Sequence, residues 1–183
     1  MSDKPSYLGL LNAIAVAEGA AEEYLRCWAA TTTNDEVRAV ISTVAIREGE
    51  HAKAFEKRIC ELGYGLRSKP ADPEPLEVAG STDLSDREKF EKLRLGGEPA
   101  DGPDVFAGMF ADSTIDIQTG ALLGRYIAEE RDSGRLLRSC YQQLCRAEEA
   151  GPDSASGDDG GLAALSDRLD RIEACLAELA QRS

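Results

Sequence analysis

The only histidine in the chain, His51, lies in the segment Arg-Glu-Gly-Glu-His at positions 47–51. Glu48 stands three residues before it, and in an α-helix this spacing puts both side chains on one face. Glu18 has a comparable position on an earlier segment, in the middle of an apolar stripe. A carboxylate that points into a helical core is costly unless it is paired, protonated or bound to a metal ion. Glu18, Glu48 and His51 therefore predict a metal site, since carboxylates and imidazole are ligands of first-row transition metals.

The motif Glu-x-x-His is weak by itself, because many helices contain it by chance. It becomes informative if both of its residues are buried and if a buried glutamate faces them from the preceding helix. The alternative interpretation is a surface pair, with Glu18 solvated at a groove. The neighbouring Glu22, Glu23 and Glu50 fall outside the apolar stripes and are expected to be solvated.

Two long helices are predicted to hold these residues. Helix A is expected at 6–30 and helix B at 35–62, each with apolar residues at spacings of three and four. The turn between them is Thr-Thr-Thr-Asn-Asp, which supplies good helix caps, and Gly63 ends helix B. Because the turn is short, helices A and B should be antiparallel neighbours.

The chain changes character after helix B. Residues 64–103 contain five of the seven prolines and one short charged helical piece. A connection of this length in a helical protein favours a crossover over a tight hairpin. Helix C is then expected at 103–130 and helix D at 133–150, separated by the polar turn Glu-Arg-Asp-Ser-Gly.

Helices C and D repeat part of the pattern of helices A and B. Gln118 and Glu148 are thirty residues apart, the same separation as the glutamates of A and B. In this register Gln118 and Glu148 take the places of those two glutamates, and Gly151 takes the place of the histidine. The second half would then have an amide in place of one carboxylate and would lack an imidazole.

Other side chains that could take part in chemistry have simpler interpretations. A shifted register of helix C would bring Asp112 and Asp116 inward as ligands, but exposed helix charges are the commoner reason for such residues. Cys140 and Cys145 fall on the inner face of helix D and are predicted to be structural thiols. Four aromatic residues could be redox-active beside a metal, although core packing is the commoner role of such residues. They are Tyr24, Trp28, Tyr126 and Tyr141.

The C-terminal residues are predicted to be separate from the helical domain at 1–150. Residues 151–161 have the composition of a flexible linker, rich in Gly, Ser and Asp. Residues 162–183 carry five leucines and one isoleucine at alternating spacings of three and four, the a and d positions of three heptads. We predict an amphipathic coiled-coil helix that makes the chain a homo-oligomer. Packing on its own bundle or on a different partner are the alternatives.

The composition favours an all-α protein. The chain is 42% hydrophobic but only 5% aromatic, and it is rich in helix-forming residues. Its net charge of −13 argues against binding to nucleic acid or to anionic membranes, which need a cationic face. It has no apolar run near the roughly 20 residues that span a bilayer and no secretory signal. Its five cysteines contain no C-x-x-C pair, which is typical of reduced thiols and predicts a cytoplasmic location.

The segments AEGAAEEYLRCWAA in helix A and IREGEHAKAF in helix B, with the long crossover, resemble the ferritin-like superfamily. The resemblance is to its rubrerythrin and ferritin branches and covers about residues 6–150. It implies a ferritin-like antiparallel four-helix bundle with a long B–C crossover. The metal ligands that it implies are Glu18, Glu48, His51, Glu148 and Gln118. In that family the positions of Glu48 and Glu148 bridge two metals, and Gln118 would be a weak or absent ligand.

The resemblance also implies a cofactor and a function. The cofactor would be iron, as one or two ions, with manganese or zinc as alternatives. The function would be that of a non-haem iron oxidoreductase that reacts with dioxygen or peroxide, like a ferroxidase. The amide at Gln118 leaves the second metal open, and the rubredoxin-type cysteine site of rubrerythrins has no counterpart here. The alternative is a degenerate ferritin-like structural or binding protein that assembles through its C-terminal coiled coil.

Overall fold

The structure, a computed structural model, describes residues 4–68, 70–97, 108 and 112–150. The elements in this part of the chain are all helices, which confirms the all-α prediction. In chain order they are α1 (Leu8–Thr31), α2 (Asp35–Glu61), α3 (Glu74–Gly80), α4 (Asp86–Leu93) and α5 (Ile117–Ala150). Three of them are long, and α3 and α4 are short helices in the connection between α2 and α5.

Helices α1 and α2 form the predicted antiparallel hairpin. The side chain of Asn34 caps α2 by accepting hydrogen bonds from the backbone N–H groups of Glu36 (3.0 Å) and Val37 (3.2 Å). At the other end Gly63 has a φ of +85°, a left-handed conformation that glycine adopts without strain. Both ends of α2 lie within one residue of the predicted bounds, 35–62.

The connection after α2 docks against the end of α1. Trp28 donates from Nε1 to Asp86 Oδ1 (2.6 Å), and its ring meets Phe90 edge-on at a centroid distance of 4.8 Å. The buried ammonium group of Lys89 donates to the carbonyl of Ala79 (2.9 Å), which joins α4 to α3. These contacts fix α3 and α4 to one end of the hairpin.

A buried arginine fixes the position of α5 against α2. Asp116 caps α5 by accepting from the backbone N–H groups of Gln118 (2.9 Å) and Thr119 (3.0 Å). Arg58 of α2 donates to Asp116 Oδ2 (2.9 Å) and to Thr119 Oγ1 (2.9 Å), and Tyr7 donates to the same Asp116 oxygen (2.7 Å). This set is called the Arg58 network below.

The predicted division into helices C and D is wrong. Helix α5 continues through the expected turn at 130–134, and it begins at Ile117, whereas helix C was expected to begin at 103. Arg47 of α2 contacts this part of α5, where it forms an ion pair with Asp132 (2.7 Å) and donates to Ser133 Oγ (3.3 Å). Turn-forming side chains are thereby stabilised in a helical conformation. The predicted helical residues 103–107 and 109–111 lie outside the described residues.

The apolar core has two parts. The first apolar cluster includes Leu11 and Ala15 of α1, Phe55 of α2, and Leu123 and Ile127 of α5. The second apolar cluster joins the opposite parts of the same three helices and also contains residues of α3 and α4. Its buried members are Leu25, Trp28, Val37, Ile41, Val44, Ala45, Ala79, Phe90, Leu137 and Cys140. On each long helix the two clusters are separated by a stretch that contains the polar residues described next.

Residues up to Cys145 form one compact unit, and the residues from Arg146 onward belong to a second. The latter is described only at 146–150, the last residues of α5. The predicted linker at 151–161 and coiled coil at 162–183 lie outside the described residues. Within the described helices, none is long and apolar enough to cross a membrane.

Candidate metal centre

Four side chains that can bind metal converge between the two apolar clusters. Glu18 comes from α1, Glu48 and His51 come from α2, and Glu130 comes from α5. One ligand atom from each lies within 4.8 Å of every other. Glu18, Glu48 and His51 are only 4–6% exposed, so they occupy the interior as the sequence predicted. We call these four residues the Glu/His cluster.

His51 presents its two ring nitrogens to different carboxylates. Nδ1 lies 3.3 Å from Glu18 Oε2 and 3.5 Å from Glu130 Oε1, inside the cluster. Nε2 lies 2.8 Å from an oxygen of Glu129, which is not a member of the cluster. Burial would lower the pKa of His51, but the interactions with Glu130, Glu18 and Glu129 outweigh it and raise the pKa to about 10.

The pKa values of Glu18 and Glu48 are shifted in opposite directions. Glu18 Oε1 accepts a hydrogen bond from the Tyr126 hydroxyl (2.9 Å), and Oε2 faces His51. Burial raises the pKa of Glu18, but hydrogen bonds with His51, Glu48 and Tyr126 outweigh it and lower the pKa. Burial and the neighbouring Glu18 raise the pKa of Glu48 to about 10. In the metal-free protein Glu48 is therefore protonated and Glu18 is the anion.

Glu130 provides an independent indication that a cation can bind in the cluster. Its Oε1 atom is buried and has no hydrogen-bond partner. His51 Nδ1 lies 3.5 Å from this oxygen, a distance that is too long for an effective hydrogen bond. Buried polar atoms in native proteins are nearly always paired with protein, water or an ion, so this oxygen marks a position that a cation can fill.

The dimensions of the cluster fit a metal ion. Oxygen and nitrogen ligands bind a first-row metal at about 2.1 Å, so two ligands of one ion lie at most about 4.2 Å apart. The largest separation in the cluster, 4.8 Å, needs an adjustment of less than an ångström. Three carboxylates and one imidazole also match the chemistry of this class of metal. The Glu/His cluster could therefore hold a metal ion.

Two of the predicted ligands lie elsewhere. Gln118 is exposed and accepts a hydrogen bond from Arg58 (2.9 Å), beside the Arg58 network. It precedes Glu130 by twelve residues of α5, which corresponds to about 18 Å along the helix. Glu148 is exposed near the end of α5 and is not a member of the cluster.

The remaining candidates have structural positions. Asp116 caps α5, and Asp112 accepts hydrogen bonds from Ser6 and from the backbone of Thr114, so neither reaches the Glu/His cluster. Cys140 is buried in the second apolar cluster, as expected for a structural thiol. No disulfide joins the cysteines of the described residues.

Gly49 allows α1 and α2 to approach each other beside the cluster. A Cβ atom at this position would lie 2.4 Å from the carboxyl carbon of Glu22. Glu22 is half-buried and pairs with Arg26 (2.8 Å), so it is less solvated than the sequence suggested. The glycine in the Arg-Glu-Gly-Glu-His segment thus makes room for a helix–helix contact.

A groove between α2 and α5 reaches the cluster at His51. It has a volume of about 340 Å³, near the lower end of small-molecule sites. Apolar groups of Ala54, Leu122 and Tyr126 form part of its wall, and Lys53 and Arg125 supply charged groups. Tyr24 of α1 does not line this groove but lies near the carboxylates of the Glu/His cluster. Burial and these carboxylates raise the pKa of Tyr24 to about 12, so this phenol stays protonated.

Glu129 and Glu130 were not predicted as site residues. The sequence contained one signal for Glu130: it stands four residues after Tyr126, on the same helical face. That signal was lost because Glu130 was placed at the end of helix C. Comparison with known proteins adds no assignment, since no family model, no curated protein and no solved structure matches the chain.

Proposed function

We propose that this protein binds iron in the Glu/His cluster and oxidises Fe(II) with dioxygen or peroxide, as a ferritin-like ferroxidase. The observation that carries the proposal is the convergence of Glu18, Glu48, His51 and Glu130 in the interior. Nature rarely places three carboxylates side by side in a helical core without a cation to neutralise them. The net charge of −13 favours the arrival of cations at the surface.

The ferritin-like part of the proposal rests on the α1–α2 hairpin. This hairpin has a glutamate on its first helix and Glu-x-x-His on its second, followed by a long connection to α5. Helix α5 then takes the place of the two expected helices C and D and supplies Glu130. The proposal therefore concerns one ion in this cluster, and a second ion has no ligands at Gln118 or Glu148.

The residues of the chain have distinct tasks in this function. Fe(II) is the substrate, and each ion would lose one electron and become Fe(III). Two Fe(II) ions, from successive turnovers or from separate chains, would reduce one peroxide with two protons to two water molecules, and four would reduce one dioxygen with four protons to two water molecules. The carboxylates of Glu18, Glu48 and Glu130 favour the product, because their negative charge stabilises Fe(III) more than Fe(II). Glu48 and His51 each give up a proton when an ion binds, since a ligating carboxylate or imidazole nitrogen must be deprotonated. The groove beside His51 is wide enough to admit a small oxidant.

Iron binding and its oxidation can be measured separately. Protein purified without a metal-chelating tag is titrated with Fe(II) under anaerobic conditions and then mixed rapidly with dioxygen or peroxide. We expect about one ion per chain and an absorbance rise from Fe(III) in the wild type. Glu48→Gln should lose both, whereas Glu56→Gln is the matched control, because Glu56 lies on the same helix, is exposed and does not line the groove.

A second candidate function is a structural or binding protein that holds no metal. It is favoured by the hydrogen bonds in the cluster, where a protonated Glu48 and a charged His51 satisfy much of the network without an ion. An absence of bound iron, with Glu48→Gln behaving like the wild type, would support this candidate and contradict the ferroxidase.

A further inference from the structure

The two ring nitrogens of His51 are in different environments, and this difference determines which of them can bind a metal. Nδ1 faces the cluster, at 3.3 Å from Glu18 and 3.5 Å from Glu130. Nε2 points to Glu129 Oε2, at a hydrogen-bonding distance of 2.8 Å. In a neutral imidazole one nitrogen carries the proton and the other has the free lone pair. An ionised carboxylate can only accept a hydrogen bond, so the contact with Glu129 favours a proton on Nε2 when Nδ1 gives up its proton to bind a metal.

Glu129 is itself held in place by a second contact. Its Oε1 atom accepts a hydrogen bond from Arg125 Nε (2.9 Å) while Oε2 accepts from His51. The side chain of Glu129 is 30% exposed, and its carboxylate is not one of the groups that converge in the cluster. Both carboxylate oxygens of Glu129 are therefore occupied by hydrogen bonds, one with the imidazole of His51 and one with Arg125.

From these contacts we infer that Glu129 is a positioning residue that orients His51 to bind the metal through Nδ1, and that Arg125 holds Glu129 for this task. The inference rests on the proposed metal site and adds to it a residue and a ligating atom. A histidine ligand commonly donates its second N–H to a carboxylate, which fixes the ring and makes the ligating nitrogen more basic. Loss of such a partner typically weakens metal binding by about 10-fold to 100-fold.

The first test is the affinity for Zn²⁺, which is not oxidised and so separates binding from reaction. Titration calorimetry is performed on the full chain with Glu129→Ala and Glu129→Gln. We expect a 10-fold to 100-fold loss of affinity for Glu129→Ala at an unchanged number of ions per chain. Glu129→Gln keeps the size of the side chain and an acceptor oxygen, so its loss of Zn²⁺ affinity should be smaller. If the alanine variant folds poorly, the glutamine variant replaces it in the test.

Glu50→Ala is the matched control. Glu50 is an exposed glutamate that also approaches Arg125, at 3.8 Å, but the carboxylates at the ring nitrogens of His51 are those of Glu18, Glu129 and Glu130. The removal of Glu50 changes the net charge by the same amount and should leave the Zn²⁺ affinity close to that of the wild type. An equal loss in both variants would mean that only the charge matters, and this would overturn the inference.

The second test identifies the ligating nitrogen directly. Because the chain has a single histidine, a long-range ¹H–¹⁵N spectrum of the Zn²⁺ form contains one imidazole and needs no assignment. We expect Nε2 to carry the proton and Nδ1 to be bound, and we expect this preference to weaken in Glu129→Ala. Binding through Nε2, an unchanged affinity in Glu129→Ala, or a lower ion count in that variant would each overturn the inference. A wild type that binds neither Zn²⁺ nor Fe(II) would overturn the metal site as well, whereas the other failures leave the metal site intact.

Discussion

The raised pKa of Glu48 has a consequence for the stability of the metal-free protein. The folded-state pKa of Glu48 is raised from 4.5 to about 10, so the folded protein keeps a proton that the unfolded chain releases. A group with a raised pKa contributes stability at low pH and loses it as the pH rises. The free energy of unfolding should therefore fall by about 1.4 kcal/mol per pH unit above pH 4.5. At pH 7 the accumulated loss is about 3 kcal/mol.

The substitution Glu48→Gln removes this loss, because an amide does not titrate and can still donate to Glu18. The metal-free variant should be more stable than the wild type by up to about 3 kcal/mol at pH 7 and similar to it near pH 4.5. Above pH 6.5 His51 adds a slope of the same sign, since its pKa is also raised to about 10, but this slope is present in both proteins.

Urea unfolding in the presence of a chelator, at several pH values between 5 and 8, measures the difference. Glu50→Gln is the control and should follow the wild type at every pH, because Glu50 is exposed. A Glu48→Gln variant that is equally or less stable than the wild type across this range would show that Glu48 is ionised in the folded protein, and would refute the reasoning. Added metal should reverse the order, because only the wild type gains the free energy of binding.

Three further outcomes are expected. Arg58→Met should lower the free energy of unfolding by about 2 kcal/mol, since it leaves Asp116 without its cation; unchanged thermal unfolding would show that the Arg58 network does not stabilise the fold. Tyr126→Phe should cost about 1 kcal/mol through the lost hydrogen bond to Glu18, with the bound metal count unchanged; a loss of metal would instead make Tyr126 part of the site. Deletion of 152–183 should lower the number of chains per particle, measured by sedimentation, while metal content per chain stays constant; an unchanged number of chains would contradict self-association through the tail.

The α1–α2 hairpin could be predicted from the sequence because its local signals agree. The apolar stripes have helical spacing, Asn34 caps α2, and Gly63 ends it. The same stripes contain Glu18, Glu48 and His51, so carboxylates and an imidazole among apolar residues were sufficient to indicate a buried polar site. Side-chain type and periodicity determine which face of a helix is buried.

Helix α5 could not be predicted in the same way because local and tertiary preferences disagree. Asp132, Ser133 and Gly134 are weak helix formers and indicate a turn. In the structure they are helical, and Asp132 and Ser133 contact Arg47, which is distant in sequence. The residues that face the core follow one stripe through the supposed turn, at spacings of four and three. They are Thr119, Leu123, Tyr126, Glu130, Ser133, Leu137 and Cys140.

The predicted ligands on α5 were wrong because the buried face of this helix was predicted one residue too early. Gln118 and Glu148 were chosen because their separation matched that of Glu18 and Glu48, but the stripe of α5 begins one residue later, at Thr119. On that stripe Glu130 is a carboxylate among apolar residues, the same signal that identified Glu18. A stripe continued through 130–134 would have found it, but the weak helix formers at 132–134 argued against that continuation.

The helices that supply the four ligands suggest an order in which the metal site is assembled during folding. Three of them belong to the α1–α2 hairpin, whose helices are close in sequence, and only Glu130 comes from the distant α5. Contacts between neighbouring segments generally form earlier than distant ones. An ion captured by the hairpin would then favour the docked position of α5, which supplies one more ligand. We expect added metal to slow amide hydrogen exchange in α5 more than in α1. The distribution of the ligands thus determines which step of folding the metal affects.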